Sequence, residues 1–195
     1  SVTKGTPKLL RKCMTTWFTS DIHFGHRNII THCNRPYTTV EEMNEALISN
    51  WLRVVKPEDI IFVLGDFSFE KHPENVFRRL TGTKVLIRGN HDHDRTVKLP
   101  WDAVHDYFEF KIDSDVICMS HFPMLSWHRM HRNSYMFHGH CHGTLEYPNS
   151  LVNSRIFDVG VDNIVKVTGE YGPISWNQAR LHLRKREFTK VDHHG

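Results

Sequence analysis

Five short motifs scattered through this chain carry side chains able to hold metal ions. Asp21 and His23 stand in Ser20-Asp21-Ile22-His23, and Asp66 in Leu64-Gly65-Asp66. Asn90 stands in Arg88-Gly89-Asn90-His91-Asp92, and His121 in Ser120-His121-Phe122-Pro123. His140 and His142 close the series in His138-Gly139-His140-Cys141-His142. Carboxylate, imidazole and amide donors suit borderline-hard first-row divalent cations. Seven such ligands exceed the need of one tetrahedral ion and fit two ions sharing a carboxylate. One motif alone would read as a turn or a satisfied histidine. Five together point to a dinuclear site.

Asp66 is the natural bridge. Two cations ~3.5–4 Å apart repel each other, and a carboxylate between them offsets that repulsion. Gly65 just before it allows a tight turn at a strand end. D-x-H and H-x-H are spaced by two, which on extended backbone puts both side chains on one side. Asn90 is a neutral donor, so Asp21 and Asp66 are the only carboxylates in the set. The excess positive charge left over suits a phosphoryl anion and lowers the pKa of a bound water.

In this order the motifs resemble the signature of the calcineurin-like metallophosphoesterases: D-x-H, GD, GN-H-D/E, H and GH-x-H. The resemblance covers residues 15–184, and the opening run Trp17-Phe18-Thr19-Ser20-Asp21-Ile22-His23-Phe24-Gly25-His26 is similar to small bacterial and phage members. It implies an α/β fold, a four-layer α/β/β/α sandwich of two mixed sheets with the metals at the strand C-termini. It implies that Asp21, His23 and His142 complete one ion and Asn90, His121 and His140 the other. It implies that His91 contacts the scissile phosphate or protonates the leaving oxygen, with Asp92 orienting its imidazole.

The reaction so implied is in-line displacement at phosphorus by a bridging hydroxide, with no Ser or Cys nucleophile. Phosphodiester hydrolysis comes first, on a phosphate ester such as a nucleotide or cyclic nucleotide. Phosphomonoester or nucleotide pyrophosphate hydrolysis, a nuclease, and a scaffold that has lost catalysis are the alternatives. Two divalent transition-metal ions are expected, Mn first, with Fe, Zn, Ni or Co also suiting the donors. His26, Arg35, Trp127, His128 and Arg129 lie near ligand-bearing segments and are candidates to line the substrate pocket. Val159-Gly160-Val161-Asp162 resembles a family block near the end of the sheet and reads as structural.

The elements that must position these residues follow from local pattern. The apolar run 15–20 reads as a buried strand ending at Asp21. Thr39-Val40-Glu41-Glu42 has the form of a capping box, with Met43, Leu47, Ile48, Trp51, Val54 and Val55 at helical spacing up to Pro57. Strands are expected at 60–64 and 84–87, and a short helix with Pro73 at its start at 73–80. This alternation predicts parallel crossovers. Beyond it, 104–112, 116–120, 135–138 and 155–161 read as strands joined by loops. Ser175 and Gln178 then cap a last helix to about residue 185. Ligands should meet in the crevice beyond the strand ends.

The chain has 195 residues, 39% hydrophobic and 24% charged, with net charge +3 and pI about 8.7. That is ordinary for a globular domain and too mild for a nucleic-acid coat protein. A single domain is expected over 14–186, with a basic extension over 1–13 and a tail over 187–195. Cys13, Cys33, Cys118 and Cys141 form no C-x-x-C pair and no disulfide framework, which points to a reducing compartment and a cytoplasmic protein. Alternation aims Cys141 away from the ligands on either side. No run approaches the ~20 apolar residues of a membrane span.

Overall fold

The computed structural model describes residues 14–184. The expected extension over 1–13 and tail over 187–195 lie outside the described residues.

Short apolar runs build a first, five-stranded sheet in the order β4-β3-β2-β1-β9. β1 (Thr16–Thr19), β2 (Ile60–Val63), β3 (Thr83–Ile87) and β4 (Ala103–His105) are parallel, and the short β9 (Ile174–Ser175) joins β1 antiparallel. Parallel neighbours need crossovers. α1 (Arg27–His32) and α2 (Val40–Val54) link β1 to β2, α3 (Pro73–Phe77) links β2 to β3, and α4 (Asp94–Val97) links β3 to β4. Half of the expected capping box of α2 forms: the Thr39 side chain accepts from the Glu42 amide, while the Glu42 carboxylate accepts from Thr38 N rather than Thr39 N, and Met43, Leu47, Ile48 and Trp51 are buried.

The second sheet has the order β5-β6-β7-β8. β5 (Tyr107–Ile112) is antiparallel to β6 (Asp115–Ser120), while β7 (Tyr135–His138) and β8 (Ile156–Asp158) continue in parallel. Strand alternation sorts the side chains into layers. Ile61, Val63 and Leu86 face the crossover helices. Phe18, Phe62, Leu64, Val85 and Ile87 turn the other way, onto Ile117, Met119, Tyr135, Phe137 and Phe157 of the second sheet. The far face of that sheet carries Cys118, Met136 and Ile156 under Trp127 and Leu151. Its covering layer is mostly irregular chain with a 3-10 turn at Met130–Arg132.

Two expectations are corrected. The run 104–112 is not one strand: it ends one sheet as β4 and begins the other as β5, with Asp106 at the crossing. The run 155–161 stops at Asp158, and Gly160 opens α5 (Val161–Thr168). That segment, Val-Asp-Asn-Ile-Val-Lys-Val-Thr, is rich in β-branched residues and poor in helix formers. Burial of Val161 and Ile164 overrides the propensity, and Gly169 at φ 81° ends the helix. α6 (Trp176–Leu183) follows a complete Ser175/Gln178 capping box.

Candidate metal centre

The strand-end loops of both sheets are laced together by backbone hydrogen bonds. Asp21 N donates to Gly65 O at 3.0 Å and His23 N to Asp66 O at 3.1 Å. Within the second sheet's loops Gly139 N donates to His121 O at 2.9 Å, and across the sheets His140 N donates to Asp21 Oδ2 at 2.9 Å. Gly65, at φ 91°, makes the approach possible. A Cβ there would lie 2.5 Å from His121 Nδ1 and 2.6 Å from the Gly89 backbone.

Five of the seven candidate ligands are left-handed: Asp21 (φ 52°), His23 (56°), Asp66 (53°), His140 (68°) and His142 (48°). This corrects the picture of D-x-H and H-x-H as extended strand. The paired side chains converge because coiled loops turn them inward, not through alternation. Each such residue costs about 1–2 kcal/mol, and the interlaced loops hold them there.

All seven candidate ligands meet in this cluster. Oδ1 of Asp21 and Nε2 of His23 are buried, lack any hydrogen-bond partner and lie 3.9 Å apart. His142 Nε2 is 3.8 Å from the same Asp21 oxygen. The two oxygens of Asp66 divide between sides, Oδ2 lying 3.6 Å from His23 Nε2 and Oδ1 3.6 Å from His121 Nε2. On the second side Asn90 Oδ1 is 2.9 Å from His121 Nε2 and 3.1 Å from His140 Nδ1. A buried carboxylate oxygen and a buried imidazole nitrogen, both orphaned and at 3.9 Å too far apart to bond each other, need a third partner. Divalent cations fit that need and this donor set.

Three of the histidines turn Nε2 inward because Nδ1 is held from behind. His121 Nδ1 lies 2.7 Å from Leu64 O, His142 Nδ1 2.8 Å from Asp162 Oδ2, and His23 Nδ1 3.2 Å from His26 Nδ1. Such outward bonds fix the tautomer and the ring orientation of a metal ligand. Burial works against a charged His142, but the bonds to Asp162 and the Cys33 thiol prevail and push its pKa up to about 10. Burial likewise opposes ionisation of Asp162, yet His142 and Arg35 hold it at about 2. His26 is pushed down to about 4 by burial and the neighbouring His23.

The remaining candidates separate. His91 is exposed at the rim; its backbone N–H donates to Asp66 Oδ1 at 3.0 Å, and its ring packs 5.2 Å from that of Phe69. Asp92 does not orient it. Both Asp92 oxygens accept backbone amides, from Asp66 (2.9 Å), Phe67 (2.9 Å) and Gly89 (2.8 Å), so it ties the Asp66 loop to the Asn90 loop. Arg35 is also corrected. It is buried, forms a forked ion pair with Asp162 at 2.9 Å, and donates to the carbonyls of Asp21 (2.7 Å) and Ile22 (2.8 Å). It positions the Asp21 loop and cannot reach a substrate.

Trp127 packs under the second sheet with Nε1 donating to Ser134 O at 3.3 Å, so it lines no cleft. His128 sits 2.8 Å from Glu109 on β5, and Arg129 lines a hollow with Asp115 at the start of β6, away from the strand ends. Sequence reasoning missed Asp162 and Cys33, whose Sγ lies 3.4 Å from His142 Nδ1. Asp162 sat in a recognised block, and a carboxylate beside an expected ligand loop was the signal available. Cys33 had none.

A protein-family model described as calcineurin-like phosphoesterase matches residues 14–194. The chain is 36% identical over 162 residues to the uncharacterized protein MJ1445 of Methanocaldococcus jannaschii, covering 80% of this chain and 84% of that one. It is 26% identical over 181 residues to the gene 66 protein of Mycobacterium phage L5, covering 75% and 86%. The crystal structure of AQ665 from Aquifex aeolicus, a protein of unknown function, superposes with a TM-score of 0.67 at 23% identity over 87% of this chain and 100% of that one. That last likeness shows the fold alone. With the family model spanning nearly the whole chain, this protein belongs to the calcineurin-like phosphoesterase family and is a metal-dependent phosphoester hydrolase.

Proposed function

We propose that the protein is a dinuclear phosphodiesterase. The observation that carries this reading is the orphaned pair Asp21 Oδ1 and His23 Nε2, buried 3.9 Å apart beside a carboxylate that faces both halves of the site. Asp21, His23 and His142 would hold one cation and Asn90, His121 and His140 the other, with Asp66 between them. Bound divalent ions supply Lewis-acid activation of water and charge for the phosphoryl oxygens. The chain's own residues orient and protonate. His91, at the rim, presents its ring to the phosphoryl group and assists the leaving oxygen. Asp92, Asp162 and Arg35 keep the ligand loops in register.

Two features favour a diester. Of the two arginines expected at the pocket, Arg129 lies away from the strand ends and Arg35 is occupied by Asp162, so neither meets the second charge of a monoester dianion. A hollow of about 670 Å³ beside His140 and His142, lined by Ile29, His32, Cys33, Cys141 and Leu145, gives a second ester substituent room. A nucleotide or cyclic nucleotide is the substrate class we favour. Manganese is the metal we expect first, with Fe, Zn, Ni or Co also suiting this mixture of carboxylate, amide and imidazole donors. Cys33, Cys118 and Cys141 are free, and no helix among the described residues is long and apolar enough to cross a membrane. Free thiols support a reducing, cytoplasmic setting.

The test is reconstitution of the metal-free chain with single metals, assayed on matched aryl mono- and diesters. Metal content should approach two ions per chain, with the diester preferred and Mn²⁺ among the better activators. A stoichiometry fixed at one under metal-replete conditions would overturn the dinuclear reading. A tenfold preference for the monoester, ~1.4 kcal/mol in transition-state binding, would make it a phosphomonoesterase instead.

A further inference from the structure

The second sheet carries a basic hollow at the edge opposite the metal loops. It encloses about 200 Å³ and is lined by Ser114, Asp115, Arg129, Arg132, Asn133 and Arg155, together with Val116 and Ser134. Three arginines therefore line one small concavity. Its lone carboxylate, Asp115, is already paired with Arg180 at 3.1 Å. Glu109, which feels the charge of Arg129, is engaged by Tyr107 and His128. The hollow is left with uncompensated positive charge.

Its inner wall is fixed. Arg155 lies over the Tyr135 ring at 4.9 Å, and its Nη1 donates to Asn133 O at 3.0 Å and Tyr135 Oη at 3.1 Å. Its Nε is buried and has no acceptor. A buried N–H without an acceptor is costly, and a small shift of the Arg155 side chain towards an anion in the hollow would give it a partner of the right sign. Left-handed turns at Arg129 (φ 59°) and Asn133 (φ 59°) fold the 3-10 segment back over the opening and place Arg132 on its rim. Planar guanidinium forks match the oxygen geometry of phosphate.

We propose that this hollow is a phosphate-binding site separate from the metal centre. β6 starts at the hollow with Asp115 and runs towards His121, a span of six residues or about 20 Å at strand rise. One phosphate group cannot occupy both places. The ligand is a phosphate-bearing anion, either a free phosphate compound or a phosphate of a polynucleotide backbone.

The test uses the metal-loaded full chain labelled with ¹⁵N, following the Arg155 Nε–H resonance as inorganic phosphate is added. A saturable shift is expected, and Arg129→Ala/Arg132→Ala should weaken it about tenfold or more, since hydrogen bonds to charged groups are among the stronger ones. These two residues lie outside the metal cluster, so turnover of a small aryl phosphodiester should stay at the wild-type level. Arg155→Lys, which keeps the charge and loses the planar fork, should also weaken binding. A thymidine octanucleotide in place of phosphate distinguishes the sources: a shift at lower concentration than phosphate assigns a nucleic-acid backbone, and a shift with phosphate alone assigns a free anion. An Arg155 resonance that moves with neither probe, or moves equally in the double variant, overturns the proposal.

Discussion

His142 Nδ1 meets the Asp162 carboxylate at 2.8 Å while His142 Nε2 lies 3.8 Å from Asp21 Oδ1. One ring thus joins the candidate metal side to a buried ion pair, since Asp162 is gripped on its other flank by Arg35. Asp162→Asn should preserve shape and weaken metal affinity by about 10–100-fold, the usual consequence of losing a carboxylate behind a ligating histidine. Calorimetric metal titration checks this, and the weaker event should be one of two. Asp162→Ala should in addition cost about 3–5 kcal/mol in denaturant unfolding, because it strands the Arg35 guanidinium.

Asp92 and His91 are neighbours with opposite predicted phenotypes. Asp92→Ala leaves the amides of Asp66, Phe67 and Gly89 without their acceptor in a buried setting. A stability loss on the order of 4 kcal/mol is expected, with metal content falling alongside it. Thermal unfolding of the metal-free and metal-loaded variant measures both. Wild-type stability in this variant would remove Asp92 from the role of loop tie.

His91→Ala should instead keep the fold and both ions, while kcat falls by about 10²–10⁴. The deficit should shrink on nitrophenolate leaving groups and grow on alkoxide or ribose ones. A uniform deficit would assign His91 to binding the phosphoryl group. Loss of bound metal would make it a ligand.

Asp59 sets an acid limit on the fold at a place remote from the metals. Its carboxylate accepts Thr15 N (2.9 Å), Lys56 N (2.8 Å) and Trp17 Nε1 (3.0 Å), stitching the start of β1 to the turn before β2. Burial would raise its pKa, but these three bonds outweigh burial and hold it below the ordinary 3.8. The folded value is the depressed one. The stability it contributes is therefore present above the unfolded pKa and is lost as pH falls through the folded one. Asp59→Asn should flatten the acid limb of the stability–pH profile below about pH 4, and Asp59→Ala should cost about 3 kcal/mol at neutral pH.

The clustering of the candidate ligands was legible because their chemistry resides in residue type and order, which folding does not alter. The layers came from the family resemblance: the continuously apolar run Ile61-Phe62-Val63-Leu64 marks a buried strand, and only the structure sorts its two faces. What stayed hidden depended on partners distant in sequence. Arg35 looks like a loop cation until Asp162 arrives from 127 residues away. Asp92 looks like a histidine's orienting acid until three amides from two loops claim both its oxygens. The crossing is marked in sequence only by Asp106, a residue poor in strands, between two segments that each read as strand. α5 is hidden by its own propensities, and only the burial of Val161 and Ile164 makes it a helix.

That crossing at Asp106 divides the chain into two contributors. Asp21, His23, Asp66 and Asn90 come before it, on the first sheet; His121, His140 and His142 come after it, on the second. On the proposed two-ion assignment, neither contributor completes either set alone. Cation capture and the docking of one sheet on the other are consequently linked equilibria, since whatever binds only the docked state stabilises it. A packing defect between the sheets, at Phe18 or Phe137, should surface first as a change in metal retention, before any loss of secondary structure. Cut at this crossing, the two fragments would be complementary halves, joined by the β1–β9 pairing and sutured further by any bound metal.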